Sequence, residues 1–417
     1  MTSEIQYNFL KDKICMKIFS LLNEKEDTTR FVGGCVRDSI IGLKTNDIDI
    51  ATKLKPEDVV RILDSESIKV VPTGVDHGTV SVFSKDFNFE ITTLRSDIST
   101  DGRHAEVIFS DSWEEDSLRR DFTINSIYLK QNGEIYDPHN GIQHLKDRKI
   151  IFIGNPDERI NEDYLRILRF FRFNAFYGNN NLKLSSDSIK ACAKNKNKIK
   201  KLSPERVQNE FFKILNSSNS HFIISIMRKI KILDLLFGHE VKTKIFKKLL
   251  LIDKENSFSK NHILRFASLA LNNKKMNPKN LQMFNFSKKE RKELCILTNQ
   301  EFEIHNKLIK SDIEKILYST DRKILKDMAK LSWALSNNRV TNKSWKTVLS
   351  QIDKVEIPIF PLKAKDILDC GLEEGPIIGE ILKTMEKDWI DSNFEQNKED
   401  LLFKLKAIIN RKKHNKQ

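Results

Sequence analysis

The sequence predicts an α+β fold in which a mixed N-terminal sheet with helices is followed by an all-α remainder. Segments that alternate apolar with polar residues, and that are rich in β-branched and aromatic side chains, are confined to about the first 150 residues. From about residue 217 onward, glycine is rare and the chain reads as successive amphipathic helices. The 417 residues suffice for about three domains or subdomains, each with its own core.

Short strands and helices follow one another in the first part of the chain. An amphipathic helix is predicted over residues 11–22, and Pro56 followed by two acids indicates the start of another helix. The predicted strands cover residues 28–32, 47–50, 67–71, 79–83 and 87–93.

The strand at residues 47–50 carries the first candidate site. Residues two apart in a strand point to the same face, so Asp47 and Asp49 present two carboxylates side by side while Ile48 and Ile50 enter the core. Adjacent carboxylates are a usual seat for the divalent cations that assist an in-line phosphoryl displacement. Asp47 and Asp49 are therefore candidate metal ligands and catalytic residues.

A glycine pair precedes this strand. Gly33 and Gly34 would let backbone N–H groups approach a triphosphate without an intervening Cβ, and Arg37 adds positive charge one helical turn later. Each motif alone is also typical of an ordinary turn or strand end. The combination G-G-x-x-R-D, followed nine residues later by D-x-D, is far more specific. It resembles the nucleotidyltransferase superfamily that includes DNA polymerase beta, in the form of its class II branch.

Class II comprises tRNA CCA-adding enzymes and bacterial poly(A) polymerases. The resemblance implies a polymerase-beta-like nucleotidyltransferase head and Mg²⁺ as cofactor. Glu90, in the strand over residues 87–93, would complete the metal site as a third acid, or would be a strand-end acid that faces Arg95. Residues 97–106 resemble the family's flexible loop, with its D-G-R-H pattern around Arg103, and an ordinary solvated connection is the alternative.

The segment LRRDFTINSIY at residues 118–128 matches the family motif R-R-D-F-T-x-N. Two arginines followed by an acid suit a triphosphate and a ribose. The resemblance implies that Arg120 holds phosphate, that Asp121 binds a sugar hydroxyl and that Asn125 helps at the ribose. Arg119 would serve equally well in an exterior salt bridge.

The segment NEDYLRILRFFRF at residues 161–173 is predicted to be a helix in which Asp163 and Arg166 share one face. As a structural ion pair they would contribute only ~0.3–0.5 kcal/mol. A carboxylate only accepts hydrogen bonds and a guanidinium only donates them, so the pair complements the amino group and ring nitrogen of cytosine or adenine. Uracil and guanine would leave both contacts unmet. An amphipathic helix with basic edges remains the alternative.

In the class II family, the residues of an E-D-x-x-R motif select the base. Glu162, Asp163 and Arg166 match that motif, and Arg169 and Arg172 map onto family positions that contact the nucleotide. The segment S-P-E-R at residues 203–206 resembles the family's S-x-E-R, for which we predict the structural role of bracing this helix.

Charge is distributed unevenly along the chain. Residues 1–150 carry 20 Lys and Arg against 26 Asp and Glu, whereas the remainder carries 52 against 32, within a net charge of +14. A polyanion could therefore lie on the C-terminal two thirds. An AT-rich genome would also raise the Lys content, but it would not spare the first 150 residues.

Several classes of protein are excluded. No apolar run reaches the 18 residues of a membrane-spanning helix, and we find no signal peptide. The five cysteines show no C-x-x-C spacing, which argues against a disulfide framework or a zinc site and favours a reducing, cytoplasmic location. Nothing in the sequence indicates an obligate protein partner.

The resemblance implies four parts. Residues 1–150 would form the catalytic head, and residues 151–215 the neck helices with the nucleotide-selecting motif. Residues 216–300 would form a helical body, and residues 301–417 a helical tail that binds tRNA.

The function predicted is addition of CCA to the 3′ end of tRNA from CTP and ATP, without a nucleic-acid template. A poly(A) polymerase of the same class is the first alternative, although such enzymes tend to carry a basic stretch where this chain has residues 74–79, GVDHGT. A split enzyme that adds only CC or only A is the second, and the loop around Arg103 argues mildly against a CC-only enzyme. A non-catalytic RNA-binding protein would have no use for the full set of motifs.

Overall fold

The computed structural model divides into two compact units. It describes residues 7–24, 27–74, 78–101, 104–178, 184–271, 281–299, 302–372 and 374–414. Unit 1 consists of Met1–Val241 with Asn277–Asn285, and unit 2 of Lys242–Met276 with Phe286–Gln417. The division into head, neck, body and tail stays a prediction.

Unit 1 contains a seven-stranded mixed sheet, which confirms the α+β prediction. The strands of the chain are β1 (Thr29–Val32), β2 (Asp47–Thr52), β3 (Val70–Gly74), β4 (Thr79–Phe83), β5 (Asn88–Thr93), β6 (Arg95–Asp101), β7 (His104–Phe109), β8 (Tyr128–Leu129) and β9 (Ile135–Tyr136). The order in the sheet is β3-β4-β5-β2-β1-β8-β9. β2 runs parallel to β5, and the other neighbours are antiparallel.

Helices surround this sheet and then continue the unit. Those of unit 1 are α1 (Lys13–Leu22), α2 (Gly34–Ile40), α3 (Pro56–Ser65), α4 (Trp113–Leu118), α5 (Gly141–Lys146), α6 (Pro156–Glu162), α7 (Leu165–Tyr177), α8 (Ser186–Asn195), α9 (Pro204–Asn216), α10 (Ser220–Lys229) and α11 (Ile232–Phe237). The core on one face of the sheet joins α1, α2 and α3 to alternate residues of the strands, such as Phe31, Ile48, Ile50 and Phe89. This period-2 burial is the pattern that the sequence predicted for β2.

Two local predictions were wrong. The strand predicted at residues 67–71 lies at Val70–Gly74. The segment expected to be a loop at residues 97–106 contains parts of two strands, because β6 (Arg95–Asp101) and β7 (His104–Phe109) pair as an antiparallel two-stranded sheet, and the flexible-loop role stays a prediction. Their polar composition reflects a ribbon outside the main sheet, and Asp101 with Gly102 is a hairpin signal in the sequence. Arg103 and residues 75–77 lie outside the described residues.

Unit 2 is built from helices throughout its described residues. They are α12 (Lys244–Glu255), α13 (His262–Ala270), α14 (Lys288–Asn299), α15 (Lys310–Ser319), α16 (Arg322–Leu335), α17 (Lys343–Lys354), α18 (Ala364–Leu368), α19 (Pro376–Asp391) and α20 (Lys398–His414). One of its cores packs α18, α19 and α20 around Ile381, Met385, Trp389 and Leu405. No helix in the described part of the chain is long and apolar enough to cross a membrane.

A cluster of buried charged side chains lies between helices of unit 2. Asp327 is 4% exposed, accepts a hydrogen bond from the Asn261 side chain at 2.7 Å and lies 3.8 Å from Lys330 Nζ. Burial raises the pKa of Asp327 to about 6, and Lys330 only partly offsets this effect. Because this pKa exceeds that of the unfolded chain, folding takes up a proton between about pH 4 and 6. The corresponding stability is lost as the pH rises through that window.

We therefore expect Asp327→Asn to gain about 2 kcal/mol of unfolding free energy relative to the wild type when the pH is raised from about 4 to 7. Urea denaturation followed by tryptophan fluorescence measures this, since Trp333, Trp345 and Trp389 lie in unit 2.

The matched control is Asp353→Asn, which removes a half-exposed carboxylate paired with Lys326 in the same unit. An equal pH response of Asp353→Asn and Asp327→Asn would contradict the prediction.

Candidate active site

The turn between β1 and α2 brings backbone close to a carboxylate. Gly33 has φ +72° and ψ −126°, a conformation that side chains other than glycine rarely adopt. The N–H of Gly34 donates to Asp49 Oδ2 at 3.3 Å. A Cβ at Gly33 would lie 3.3 Å from the same oxygen. Both predicted glycines therefore stand directly beside the acidic strand.

The acids of β2 lie on the face that the strand period predicts. Asp47 is exposed and Asp49 is partly buried, whereas Ile48 and Ile50 are fully buried. In the parallel register of β2 with β5, Glu90 is the direct neighbour of Asp49. Asn88 stands beside Asp47, and its amide donates to Asp47 Oδ1 at 3.0 Å. Three acidic residues therefore occupy neighbouring positions on two paired strands.

The surroundings raise the pKa of two of these acids, Asp49 and Glu90. Burial raises the pKa of Asp49, and Arg120 and the Gly34 N–H oppose the shift. Burial also raises the pKa of Glu90, and the negative charge of Asp49 adds to it. Carboxylate oxygens are the donors that hard divalent cations prefer, so Asp47 and Asp49 fit such an ion chemically. Among the described residues, no group of three or more His, Cys, Asp or Glu side chains could hold a metal ion, and Glu90 as a third ligand stays a prediction.

Arg120 is held by Asp116, a residue that the sequence analysis missed. Asp116 is 0% exposed and accepts hydrogen bonds from Arg120 Nη2 at 2.9 Å, from Arg119 Nε at 2.7 Å and from the Tyr128 hydroxyl at 2.7 Å. Burial alone would raise the pKa of Asp116, but the two guanidinium groups hold it well below its usual range. Arg120 is also the largest influence that favours the charged form of Asp49. The sequence does contain the signal, because an acid three and four residues before two arginines faces both on a helical turn.

Asp121 and Asn125 belong to a buried chain of hydrogen bonds. Asp121 accepts from Asn125 Nδ2 at 2.9 Å and from Arg169 Nε at 2.6 Å. Asn125 in turn accepts from Arg37 Nη1, and the Arg37 guanidinium lies 4.3 Å from the ring centroid of Tyr177. Four of the predicted nucleotide-binding residues thus form one network, which ties α2 to α7.

The segment around Asp163 differs from the prediction of one continuous helix. α6 ends at Glu162, and Asp163 is extended, with φ −147° and ψ 109°. Its carboxylate accepts from the N–H of Leu165 at 3.0 Å, and so satisfies one of the unpaired N–H groups at the start of α7. An aspartate that competes in this way for backbone donors favours a helix start over a helix interior.

Asp163 and Arg166 therefore have separate partners and do not form an ion pair with each other. Asp163 Oδ2 accepts from Arg206 Nη2 of α9 at 2.7 Å. Arg166 donates from Nη1 to Glu162 and from Nη2 to the carbonyl oxygen of Arg119, the latter at 2.9 Å. The contact of Arg206 agrees with the bracing role predicted for residues 203–206.

The two remaining arginines of α7 also meet acids. Besides the bond from Arg169 to Asp121, Arg172 Nε lies 2.6 Å from Glu210 Oε2 of α9. Both guanidinium groups lie near the ring of Phe173, at 5.2 and 4.2 Å from its centroid. Every predicted site residue that the structure describes lies in unit 1. Arg103 lies outside the described residues.

Comparisons with known proteins show which family the chain resembles. A family model described as "Poly A polymerase head domain" matches residues 29–151, and one described as "Probable RNA and SrmB- binding site of polymerase A" matches residues 181–244. The human mitochondrial CCA tRNA nucleotidyltransferase 1 is 30% identical over 379 residues, which cover 90% of this chain and 86% of the human protein.

Two solved structures are similar in fold. The Bacillus stearothermophilus CCA-adding enzyme in complex with CTP has a TM-score of 0.73 at 24% identity, over 96% of this chain and 98% of that one. The Thermotoga maritima CCA-adding enzyme complexed with tRNA has a TM-score of 0.65 at 18% identity, over 96% and 98% of the two chains.

Fold and site together define a nucleotidyltransferase whose head is of the poly(A) polymerase type. The chain belongs to the CCA tRNA nucleotidyltransferase family. Phosphoryl-transfer enzymes of this kind use divalent metal ions.

Because the glycine turn touches Asp49, we expect Gly33→Ala to reduce nucleotide transfer about a hundredfold through displacement of that carboxylate. The matched control is Gly42→Ala, since Gly42 has a similar φ of +75° with nothing within 4 Å of an added Cβ. Both variants should lose stability to backbone strain at a positive φ, on the order of 1–3 kcal/mol. Denaturation curves and transfer rates of the two variants test this, and an equal loss of activity in both would refute a special role for Gly33.

Proposed function

We propose that this protein adds CCA to the 3′ end of tRNA, using CTP and ATP and no nucleic-acid template. The observation that carries the proposal is the hydrogen bond from Arg166 to the carbonyl oxygen of Arg119. It joins the segment that we assign to base selection to the arginine pair next to the acidic strand. The names of the human and bacterial relatives support the same reaction.

Asp47 and Asp49 would hold Mg²⁺. Bound there, the ion would activate the 3′-hydroxyl group of the RNA and neutralise charge on the phosphates. Arg120 would bind the triphosphate with the guanidinium edge that faces the glycine turn, where Nη1 lies 3.8 Å from the position of a Cβ on Gly33. Asn88 would keep the carboxylate of Asp47 in one orientation.

Asp163 and Arg166 would read the base with the hydrogen-bonding capacity that their protein partners leave. Each carboxylate oxygen of Asp163 accepts one hydrogen bond in the described structure and has a second lone pair. Arg166 has five N–H groups, and its described hydrogen bonds go from Nη1 to Glu162 and Arg159 and from Nη2 to Arg119. Two N–H groups of Arg166 therefore remain, and one of them can donate to a ring nitrogen of the base. Asp163 can accept a hydrogen bond from the amino group of the same base.

The basic remainder of the chain would bind the RNA. The 52 Lys and Arg beyond residue 150, against 32 acids, suit recognition of tRNA by its phosphates and its shape. The match of residues 181–244 to a probable RNA-binding region supports contact by the last helices of unit 1. We assign the neck to residues 151–215 and further tRNA contacts to the C-terminal helices.

We also propose a reducing compartment, with the cytoplasm as the first candidate. All five cysteines are unpaired, and Cys15, Cys35 and Cys192 are buried. Burial raises the pKa of each of these three thiols, so they stay protonated and unreactive.

The deciding experiment supplies purified protein with a tRNA transcript that lacks CCA, and with each nucleoside triphosphate alone or in pairs. We expect two C additions from CTP, one A after ATP joins, and none from UTP or GTP. EDTA should stop the reaction and Mg²⁺ should restore it, and Asp49→Asn should be inactive.

A long A-tail from ATP alone would assign the protein to the poly(A) polymerases. Addition that stops at CC would indicate a split enzyme. No addition at all would refute the proposal.

For base selection, we expect Asp163→Asn to raise incorporation of UTP relative to CTP about ten- to a hundredfold, since one acceptor becomes a donor for the uracil carbonyl. The Asn oxygen can still accept from the N–H of Leu165, which preserves the start of α7, while the Asn amide group replaces the oxygen that accepts from Arg206. Asp187→Asn, an exposed acid of α8, is the control and should retain selectivity. Unchanged selectivity in Asp163→Asn would mean that this residue only shapes the segment.

A further inference from the structure

The fully buried carboxylate of Asp116 contacts two arginines that lie near the proposed phosphate and base sites. Asp116 lies in α4, is 0% exposed and contacts the side chains of both Arg119 and Arg120. It does not lie on the acidic strand, and no family motif quoted above contains it. Its position beneath both arginines sets their directions.

The first branch runs to the phosphate side of the site. Arg120 donates from Nε and Nη2 to Asp116 Oδ2, at 3.1 and 2.9 Å, and from Nε to the Tyr128 hydroxyl at 3.1 Å. The Tyr128 hydroxyl itself donates to Asp116 Oδ2 at 2.7 Å. With one edge of the guanidinium fixed in this way, Nη1 is left on the side of the glycine turn and Asp49.

The second branch runs to the base side. Asp116 Oδ1 holds Arg119 Nε at 2.7 Å, and the main chain of Arg119 offers its carbonyl oxygen to Arg166 Nη2 at 2.9 Å. The preceding carbonyl, that of Leu118, accepts from Arg159 Nη1 at 2.7 Å. These carbonyls belong to the end of α4, where unpaired acceptors and the helix dipole attract cationic side chains. Asp116 and Arg166 are therefore linked through one residue, Arg119, whose side chain contacts Asp116 and whose carbonyl oxygen accepts from Arg166.

We propose that Asp116 is a positioning residue which orients the triphosphate-binding Arg120 and the base-selecting Arg166 at the same time. The inference rests on the proposed function for its choice of nucleotides. It adds to the proposed function that Asp116, a buried residue, affects both the affinity for the triphosphate and the choice of base. An ordinary buried ion pair would contribute to stability alone.

Asp116→Asn, which keeps the shape and removes the charge, tests the proposal by calorimetry of CTP and UTP binding and by single-nucleotide incorporation. We expect the Kd and KM for CTP and ATP to rise about tenfold, and the ratio of UTP to CTP incorporation to rise about tenfold as well. Both changes should exceed any change in kcat. A Kd, a KM and a selectivity ratio equal to the wild-type values would overturn the proposal, whatever the melting temperature.

Two further variants separate positioning from stability. Asp253→Asn changes another buried carboxylate, which lies 3.1 Å from Arg265 in unit 2, and should leave KM and selectivity unchanged. Tyr128→Phe keeps all charges and removes only the hydroxyl shared by Asp116 and Arg120. It should raise the KM for CTP about threefold and leave base choice intact.

Tyr128→Phe also keeps the proposal testable where Asp116→Asn does not fold, since an unchanged KM in Tyr128→Phe would refute the phosphate branch. If the wild type binds CTP but adds no CCA, the proposed function fails. The calorimetric comparison of CTP with UTP then still decides the role of Asp116.

Discussion

The site depends on how negative charge is kept close together on two neighbouring strands. The parallel register of β2 and β5 sets Glu90 beside Asp49, and Asp47 is two residues away on the same face. Burial and mutual repulsion disfavour the charged forms, so the fold must supply compensating positive charge. At Asp49 this comes first from Arg120, then from the N–H of Gly34 and from Arg37, and at Glu90 it comes from Arg95. Other side chains of unit 1 in turn support Arg120.

That support is itself electrostatic, and it is arranged in successive buried pairs. Asp116 pairs with both Arg119 and Arg120, and Asp121 pairs with Arg169; both carboxylates are buried, while the Arg169 side chain is partly exposed. Removal of one member of such a pair leaves an uncompensated charge, whereas the intact pair fixes the direction of a side chain. Such a network contributes less unfolding free energy than apolar side chains of the same size would, but it fixes the directions of its side chains. A transferase that positions a triphosphate without a template needs such preorganisation.

The sequence predicted the parts of the site that follow from local periodicity. Alternation along β2 placed Asp47 and Asp49 on one face, and the confinement of strands to the first part of the chain gave the α+β class. It did not predict the break at Asp163, because side-chain capping competes there with a strong helical pattern. It also missed Asp116, although the spacing to Arg119 and Arg120 was visible in the sequence; what the spacing could not show is that this carboxylate is fully buried. The β6–β7 ribbon was missed because polar composition hid its pairing.

The break at Asp163 bears on the base-reading role that we propose for Asp163 and Arg166. Had Asp163 and Arg166 remained on one helix face, they would have satisfied each other, and a base would have had to compete with an ion pair. Instead Asp163 is held by Arg206 and by the start of α7, and Arg166 by Glu162 and the main chain of Arg119. Each group is then fixed from behind, with acceptor or donor capacity left over. Arg166 as the donor and Asp163 as the acceptor are thus held at fixed positions. A base whose own acceptor and donor do not match those positions would leave polar groups unpaired, and we expect it to bind more weakly.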